Sequence, residues 1–498
     1  MTERLTYRFG PLERRGILGA LRARQAAVLA AAAAGAVALL DRLPSVGGAL
    51  SAVIVGLAGA AVALVPLGRR TLEEWTPIAC AYWVRRLAGG GRFRSPVPVE
   101  GVRSAELRRG RRQRLDPARA VPPPTLKGAR ILAAPYRERP VGVLVERGGR
   151  RATAVLACRV VAFSLLDAEA QERRLARWGL VLSGAAGTPI SRLQWIERTT
   201  PAQGDELARW LQAERDPAVP PRGTPIVESY LELIANGARA SQEHEILVGV
   251  QVEAGRVRSR GKRAVVEAVV EQSERIAHGL EAAEVNVLGA LGPPQLARAL
   301  RTAFDPFARA ELAALEAADA GRAGLAEAHA WPLAADERWD HYRTDGAVHA
   351  TYWIGSWPRV DVSPMFMDAL LGRSSVVRTV SVTFEPIAPE RSTREAEAAV
   401  THDRAERELR RRFGQSDTAR QRQVEEAAAR REAELAAGHG EVRLAGFVTV
   451  SGRDLDDLRR ACVEVHDHAA RARLELHPMY GQQAAAFAFT LPMCRGLR

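Results

Sequence analysis

The stretch AAVLAAAAAGAVALL, residues 26–40, and the stretch VGGALSAVIVGLAGAAVALVPL, residues 46–67, decide the architecture of this chain. Neither stretch contains a charged residue, and only the short turn 41–45 separates them. At about 1.5 Å per residue, the second stretch is long enough to cross a hydrocarbon core of roughly 30 Å, whereas the first requires tilt or local thinning. We therefore predict a two-helix membrane hairpin whose apolar stretches are bounded by Ala26, Leu40, Val46 and Leu67.

Arginines flank this hairpin on both sides. They are Arg14, Arg15, Arg22 and Arg24 before it and Arg69, Arg70, Arg85 and Arg86 after it. In the turn, Arg42 is offset by Asp41. By the positive-inside rule, both ends of the hairpin and the bulk of the chain are predicted to be cytoplasmic, at the plasma (inner) membrane. The alternative is a buried helical hairpin in a soluble core. A cleavable signal peptide is disfavoured because the second apolar stretch follows at once.

The composition is strongly basic. The chain has 498 residues and a formal net charge of +13, and Lys127 and Lys262 are its only lysines. Five arginines form a dense patch: Arg108, Arg109, Arg111, Arg112 and Arg114. Such a patch can bind inner-leaflet anionic lipids or nucleic acid, or it can be a solvated linker, and the sequence leaves these alternatives open.

No motif in the sequence indicates catalysis. The segment GRVRSRGKR, residues 255–263, superficially resembles a phosphate-binding loop, but five residues separate its glycines and Arg263 replaces the required Ser or Thr. The four cysteines are far apart and form no CxxC pair, which fits free thiols in a reducing compartment. We predict no catalytic residue, no metal site and no cofactor.

The fold class predicted from periodicity is α+β, with the hairpin followed by a multi-part cytoplasmic region. The predicted strands are 141–147, 151–163, 190–198, 245–253, 376–387 and 442–450, and the predicted helices are 167–182, 262–282, 294–304 and 454–472. The predicted segments are the hairpin with an interfacial helix (1–91), an Arg/Pro-rich linker (92–124), an α+β domain (125–310), a β-rich aromatic segment (311–389), a long charged helical arm (390–440) and a C-terminal strand-helix-strand unit (441–498).

One aromatic cluster is a candidate binding groove. It contains His349, Tyr352, Trp353, Trp357 and Arg359. Stacking of nucleic-acid bases is one interpretation, and packing of a half-buried β-hairpin is the other.

Three short motifs carry a resemblance to a known family. The first is YRFGPLERR at residues 7–15 with RTLEEW at 70–75, and the second is RTDG at 343–346 with YW at 352–353 and WPR at 357–359. The third is YGQQ at 480–483 with FAFTLP at 487–492. The first two resemble an actinobacterial family with a PrgI-like membrane hairpin, encoded beside conjugation or type IV secretion genes. The third is similar to the N-terminal domain of the large type IV secretion ATPases, just before their nucleotide-binding core.

The resemblance implies a non-enzymatic, membrane-anchored structural subunit of a type IV secretion or conjugation-like machine. Because the chain stops at Arg498, the motor is expected as a secretion ATPase on a separate chain, docked here to other membrane channel subunits. Four residues, Gln482, Gln483, Phe487 and Pro492, are the candidate partner surface. A homo-oligomer and nucleic acid contact are further expectations. Alternatives are a type VII secretion core membrane subunit, a membrane-tethered enzyme with an unrecognised site near 349–361, and a DNA-binding module.

Overall fold

The computed structural model describes residues 23–67, 70–95, 121–159, 163–201, 242–259, 261–308, 327–358, 360–372, 376–395 and 440–497, with a few shorter pieces between them. The chain forms two compact units, one within Pro11–Gly91 and one within Arg92–Arg498. We call them the hairpin unit and the sheet unit, and describe each by itself.

Within its described residues, the hairpin unit contains three helices. They are α1 (Ala23–Arg42), α2 (Val46–Leu64) and α3 (Leu72–Leu87). Two-residue strands, β1 (Pro66–Leu67) and β2 (Arg70–Thr71), pair antiparallel between α2 and α3. The sequence prediction extended the second apolar helix to Leu67, and this boundary is wrong. The helix ends at Leu64 because the next residues, Val65 and Pro66, are extended, as residues before and at a proline commonly are.

The described part of the sheet unit is built on one sheet of 13 strands. In chain order these are β3 (Arg92–Arg94), β4 (Arg130–Ala134), β5 (Val141–Glu146), β6 (Arg151–Arg159), β7 (Ile190–Pro201), β8 (Gln242–Glu253), β9 (Asn286–Ala290), β10 (Ala334–Glu337), β11 (Tyr342–Thr344), β12 (Val348–Ser356), β13 (Val377–Pro386), β14 (Val442–Gly452) and β15 (Glu475–Pro478). The main path across the sheet is β3-β10-β11-β12-β14-β13-β7-β8-β6-β5-β4, and every described pairing is antiparallel.

Six helices of the sheet unit complete the framework. They are α4 (Ala168–Gly184), α5 (Lys262–Ala282), α6 (Pro293–Phe304), α7 (Asp368–Leu371), α8 (Leu455–Arg471) and α9 (Gln483–Phe487). Asp167 caps α4 by accepting a hydrogen bond from Ala170 N at 2.7 Å, and Asp454 caps α8 through Asp456 N and Asp457 N. A further helical stretch begins at residue 389, one residue before the predicted charged arm, but most of that arm lies outside the described residues.

The sheet unit has an internal repeat of topology. In the first half, β4, β5 and β6 form a meander, β8 pairs with β6 and β7, and α5 leads to β9, which returns to pair with β6. The second half repeats this order and these pairings. Strands β10, β11 and β12 form a meander, β14 pairs with β12 and β13, and α8 leads to β15, which returns to pair with β12. The two halves join where β7 pairs antiparallel with β13, the arrangement that an approximate two-fold axis normal to the sheet produces.

Helices cover both faces of the sheet. On one face, α5 packs on β6 and β8, and α8 occupies the matching place on β12 and β14. On the other face, α6 packs on β4 and β5, and α9 packs on β11 and β12. Successive side chains along a strand point to opposite faces of the sheet, so alternate residues pack into the apolar layer on one face and the residues between them into the layer on the other. For example, Val155 and Ile196 join the core beneath α6, whereas Leu156 and Leu193 join the core beneath α5.

The predicted α+β class is confirmed. The strands expected at 141–147, 190–198, 245–253, 376–387 and 442–450 are present with small shifts at their ends. The sequence suggested three separate segments after the linker and outside the charged arm. All three contribute strands to the same sheet: 125–310, 311–389 and 441–498. Hydrogen bonds between distant strands, which local periodicity cannot predict, join them.

Candidate functional site

The apolar hairpin is the candidate functional site because of what its helices leave uncovered. By length and composition α1 and α2 can both cross a membrane, a test that core helices of soluble proteins and N-terminal signal sequences also pass. The apolar window of α1 has no buried share, and that of α2 is 17% buried. The large aliphatic side chains left exposed are Val37, Leu40, Leu43, Val46, Leu50, Val53, Ile54, Leu57, Leu64 and Val65.

Small residues let the two helices approach each other closely. A Cβ at Gly59 would overlap the Cβ of Ala32, and a Cβ at Gly35 would lie 3.7 Å from Val55 Cγ1. Close packing through small residues is a common means of helix association in membranes. The structure places Gly35 in the contact but leaves Gly56 with no neighbour within 4 Å of a Cβ built there.

Polar groups close both ends of this helix pair. Ser45 is the N-cap of α2, and its Oγ accepts a hydrogen bond from Gly48 N at 3.1 Å. At the opposite end, Gln25 Nε2 donates to Ala63 O at 3.0 Å, which connects the start of α1 to the end of α2. These bonds lie at the helix ends, and between them the hairpin is apolar except for Ser51, whose hydroxyl donates to Gly47 O within α2.

Helix α3 carries aromatic side chains of the kind found at membrane surfaces. The Arg70 guanidinium lies 5.5 Å from the Trp75 ring centre, and the rings of Tyr82 and Trp83 contact edge to face at 5.6 Å. Trp83 is exposed, and the last turn of α3 contains Arg85 and Arg86. Tryptophan, tyrosine and arginine together are typical of the interface between lipid and water.

The predicted anionic-partner patch lies outside the described residues. It comprises Arg108, Arg109, Arg111, Arg112 and Arg114. The patch therefore stays a prediction from sequence.

The candidate partner surface near the C-terminus belongs largely to the core. Gln483 is 1% exposed, Phe487 is 3% exposed and Pro492 is buried, while Gln482 is half-buried. The amide oxygen of Gln483 accepts a hydrogen bond from Thr351 N at 2.8 Å, and the ring of Phe487 lies among the residues beneath α6. The structure thus places Gln483, Phe487 and Pro492 in the interior of the sheet unit and leaves Gln482 partly accessible, and a role of these residues in binding a partner stays a prediction.

The last residues of the described chain form a strap, residues 488–497, held through its backbone. Gln194 Nε2 donates to Phe489 O at 2.9 Å, and Gln194 Oε1 accepts from Cys494 N at 2.6 Å. Gln251 Nε2 donates to Met493 O at 3.0 Å, and Thr383 Oγ1 donates to Arg495 O at 2.9 Å. These donors come from β7, β8 and β13, so the strap ties together strands of both halves.

Sequence reasoning missed this set of strap-binding side chains. Gln194 and Gln251 are almost fully buried, on the same face of their strands as the core residues Ile196 and Leu247. An amide side chain at an inward position of a strand requires a buried hydrogen-bond partner. The two glutamines in otherwise strand-like runs were therefore the feature of the sequence that could have indicated a buried polar contact. Nothing local to either strand indicated that the partner would be a segment about 240 to 300 residues away.

The aromatic cluster is part of the interior rather than a groove. His349 is fully buried, with Nδ1 2.8 Å from Ser451 Oγ and Nε2 3.1 Å from Phe304 O. Burial lowers the pKa of His349 to about 4, so its imidazole is neutral at physiological pH. Tyr352 is also buried and Trp353 is half-buried, whereas Arg359 lies outside the described residues. A buried, neutral and hydrogen-bonded histidine fits the packing interpretation.

The ionisable groups bring together no metal site in the described ranges. No group of three or more His, Cys, Asp or Glu side chains there has the geometry to hold a metal ion. All four cysteines are free thiols. Burial raises the pKa of Cys158 to about 11 and raises that of Cys494 as well, so both thiols stay protonated and unreactive.

The chain matches no protein-family model, and no curated protein sequence matches it.

Proposed function

We propose that the chain is a non-enzymatic structural subunit anchored in a membrane by α1 and α2. The exposure of the apolar hairpin carries this proposal. A helix that packs in a soluble core covers its aliphatic side chains, whereas α1 and α2 leave eight large ones uncovered, and Leu43 and Val65 beside them are exposed as well. Lipid would cover these side chains and remove the cost of exposing them to water, about 25 cal/mol for each Å².

The flanking charges give the proposed orientation. Arginines lie before α1 and in the last turn of α3, whereas the turn between α1 and α2 has Asp41 beside Arg42. The excess of positive charge on one side favours both ends of the hairpin in the cytoplasm, with the sheet unit on that side. The membrane in this proposal is the plasma (inner) membrane.

The proposed role of the sheet unit is to present a surface to protein partners. Its two halves are joined by an unbroken run of strands, and the strap adds side-chain hydrogen bonds across that join. A rigid body of this kind suits a docking role. Following the motif resemblance, we propose that the partners are a secretion ATPase on a separate chain and channel subunits of a type IV secretion or conjugation-like machine.

Affinity purification tests the proposal. The full chain is purified from membranes in mild detergent, and co-purifying proteins are identified by mass spectrometry. The matched control is the variant Ile54→Arg, which places a charge in the middle of α2. We expect a Walker-motif ATPase and polytopic membrane proteins with the wild type and a loss of the polytopic proteins with the variant. Recovery of neither class with the wild type would contradict the scaffold role, and turnover of nucleotide by the purified chain would contradict its non-enzymatic character.

A further inference from the structure

A cationic surface lies where α5 begins. Its members are exposed residues on the turn between β5 and β6 and on the connection from β8 into α5: Arg147, Arg150, Arg258 and Lys262. We call this set the α5 basic patch. Two contacts bring its segments together: Ala254 N donates to Arg150 O at 2.8 Å, and the side-chain stem of Lys262 packs over Gly149, where a Cβ would overlap it.

The four members of the α5 basic patch have no partners for their charges. Within the described ranges, none of these side chains makes a hydrogen bond or an ion pair. Neighbouring charges behave differently, since Arg151 pairs with Glu253 at 3.1 Å and Arg263 pairs with Glu267 at 2.8 Å. The nearby carboxylates are thus engaged by other arginines, and the patch presents uncompensated positive charge to solvent.

The matching position in the second half shows that the fold does not require these cations. Helix α8 has Asp454 as its N-cap and Asp456 and Asp457 in its first turn, and these acids pair locally with Arg459 and Arg460. Helix α5 has no acidic residue in its first turn. Cations at that end of a helix oppose its macrodipole, so they weaken the helix slightly. Their presence is therefore better explained by an external anion than by the stability of α5.

We propose that the α5 basic patch binds the anionic headgroups of a membrane surface. The choice of lipid rests on the proposed membrane anchor, which would tether the chain to a bilayer, and on the charge complementarity between the patch and anionic headgroups. Cations of a chain that is anchored in a bilayer can bind the anionic lipids of that surface. Single-stranded nucleic acid is bound mainly through aromatic stacking together with charge, and no member of the patch is aromatic.

Protection from trypsin tests this proposal on the full chain. The protein is reconstituted into vesicles of phosphatidylcholine alone or mixed with phosphatidylglycerol, and the rate of cleavage after Arg258 is followed by mass spectrometry. We expect slower cleavage on the anionic vesicles, with protection lost at high salt. The variant Arg147→Gln/Arg150→Gln leaves the cleavage site intact. It should lower the protection by about fivefold for each cation removed, about 25-fold in all.

The matched control is Arg459→Gln/Arg460→Gln at the equivalent place on α8, which should leave the protection unchanged. Flotation of the protein with the vesicles in a density gradient measures the membrane anchor separately from the patch. A chain that floats with both kinds of vesicle but is cleaved equally fast on each would overturn the patch proposal and leave the anchor standing. A chain that floats with neither would overturn both. Protection by a DNA oligonucleotide that depends on Arg147 and Arg150, without protection by anionic vesicles, would assign the patch to nucleic acid and overturn the lipid proposal.

Discussion

The strap offers a sharp test of how the two halves of the sheet are held together. Gln194 is fully buried and makes three hydrogen bonds, to Ser381 Oγ at 2.8 Å, to Phe489 O at 2.9 Å and from Cys494 N at 2.6 Å. In the variant Gln194→Leu, Ser381 Oγ can still donate to Phe489 O, whose distance is 3.1 Å. The N–H of Cys494, however, loses its acceptor in a buried place.

The expected cost follows from these contacts. A buried donor left without an acceptor costs about 1–3 kcal/mol, and the loss of the remaining amide bonds adds about 1 kcal/mol. We therefore expect Gln194→Leu to weaken docking of the strap by about 2–4 kcal/mol. The population in which the strap is detached from the sheet is proportional to the equilibrium constant for its opening. A loss of about 2–4 kcal/mol in docking should therefore raise that population by about 30- to 900-fold.

Alkylation of cysteine measures this opening directly. Cys494 lies in the strap and is 0% exposed, so it reacts only when the strap leaves the sheet. Cys158 on β6 is also buried and reacts only on wider unfolding. We expect Gln194→Leu to speed labelling of Cys494 by the factor above and to leave Cys158 nearly unchanged. The matched control Gln272→Leu removes a buried amide on α5, away from the strap, and should change neither rate.

Two outcomes would refute this reasoning. Labelling of Cys494 within about threefold of the wild type would show that the Gln194 bonds contribute little to docking, since a threefold change is under 1 kcal/mol. Equal acceleration at Cys494 and Cys158 would show that the strap does not open independently of the sheet.

The remaining predictions concern the packing of the hairpin and the pH dependence of stability. In a background without the exposed Cys80, the pair Gly35→Cys/Val55→Cys should form a disulfide under mild oxidation. The pair Gly35→Cys/Gly56→Cys should not, because a Cβ at position 56 has no neighbour within 4 Å. The reverse pattern on a non-reducing gel would contradict the helix contact. Burial holds the pKa of His349 near 4, below the value of about 6.5 in the unfolded chain, so the stability present above pH 6.5 should be lost as the pH falls towards 4. Urea unfolding at several pH values should show the wild type losing about 3 kcal/mol more than His349→Gln over this range, and parallel losses would argue against a buried neutral imidazole.

Much of the local structure could be predicted from the sequence. Alternating Val-rich runs, as in residues 245–253, indicated strands, and the 3.6-residue period of 262–282 indicated the helix that became α5. The hairpin was predictable because uncharged apolar runs of this length are rare in soluble proteins. Short strands such as β3 and β10 were missed, since three or four residues carry too little periodic signal.

The arrangement of these elements could not be predicted in the same way. The repeat of topology is invisible in the sequence because β8 and β14, or α5 and α8, share a place in the fold without sharing residues. The first turn of α5 carries Lys262 and Arg263, whereas that of α8 carries Asp456 and Asp457. Burial of Gln483 and Phe487 was also unpredictable, because it depends on strands more than 100 residues earlier in the chain.

The membrane anchor is tested most directly by alkaline carbonate extraction of membranes from cells that express the full chain. We predict that the wild type stays with the membranes, as an inserted hairpin does. The variant Ile54→Arg should move to the soluble fraction, because a charge near the centre of a spanning helix costs about 2.5–3.5 kcal/mol, or about 70- to 400-fold in partitioning. The control Leu180→Arg, at an exposed apolar position on α4, should stay with the membranes. Release of the wild type itself by carbonate would contradict the anchor and, with it, the proposed function.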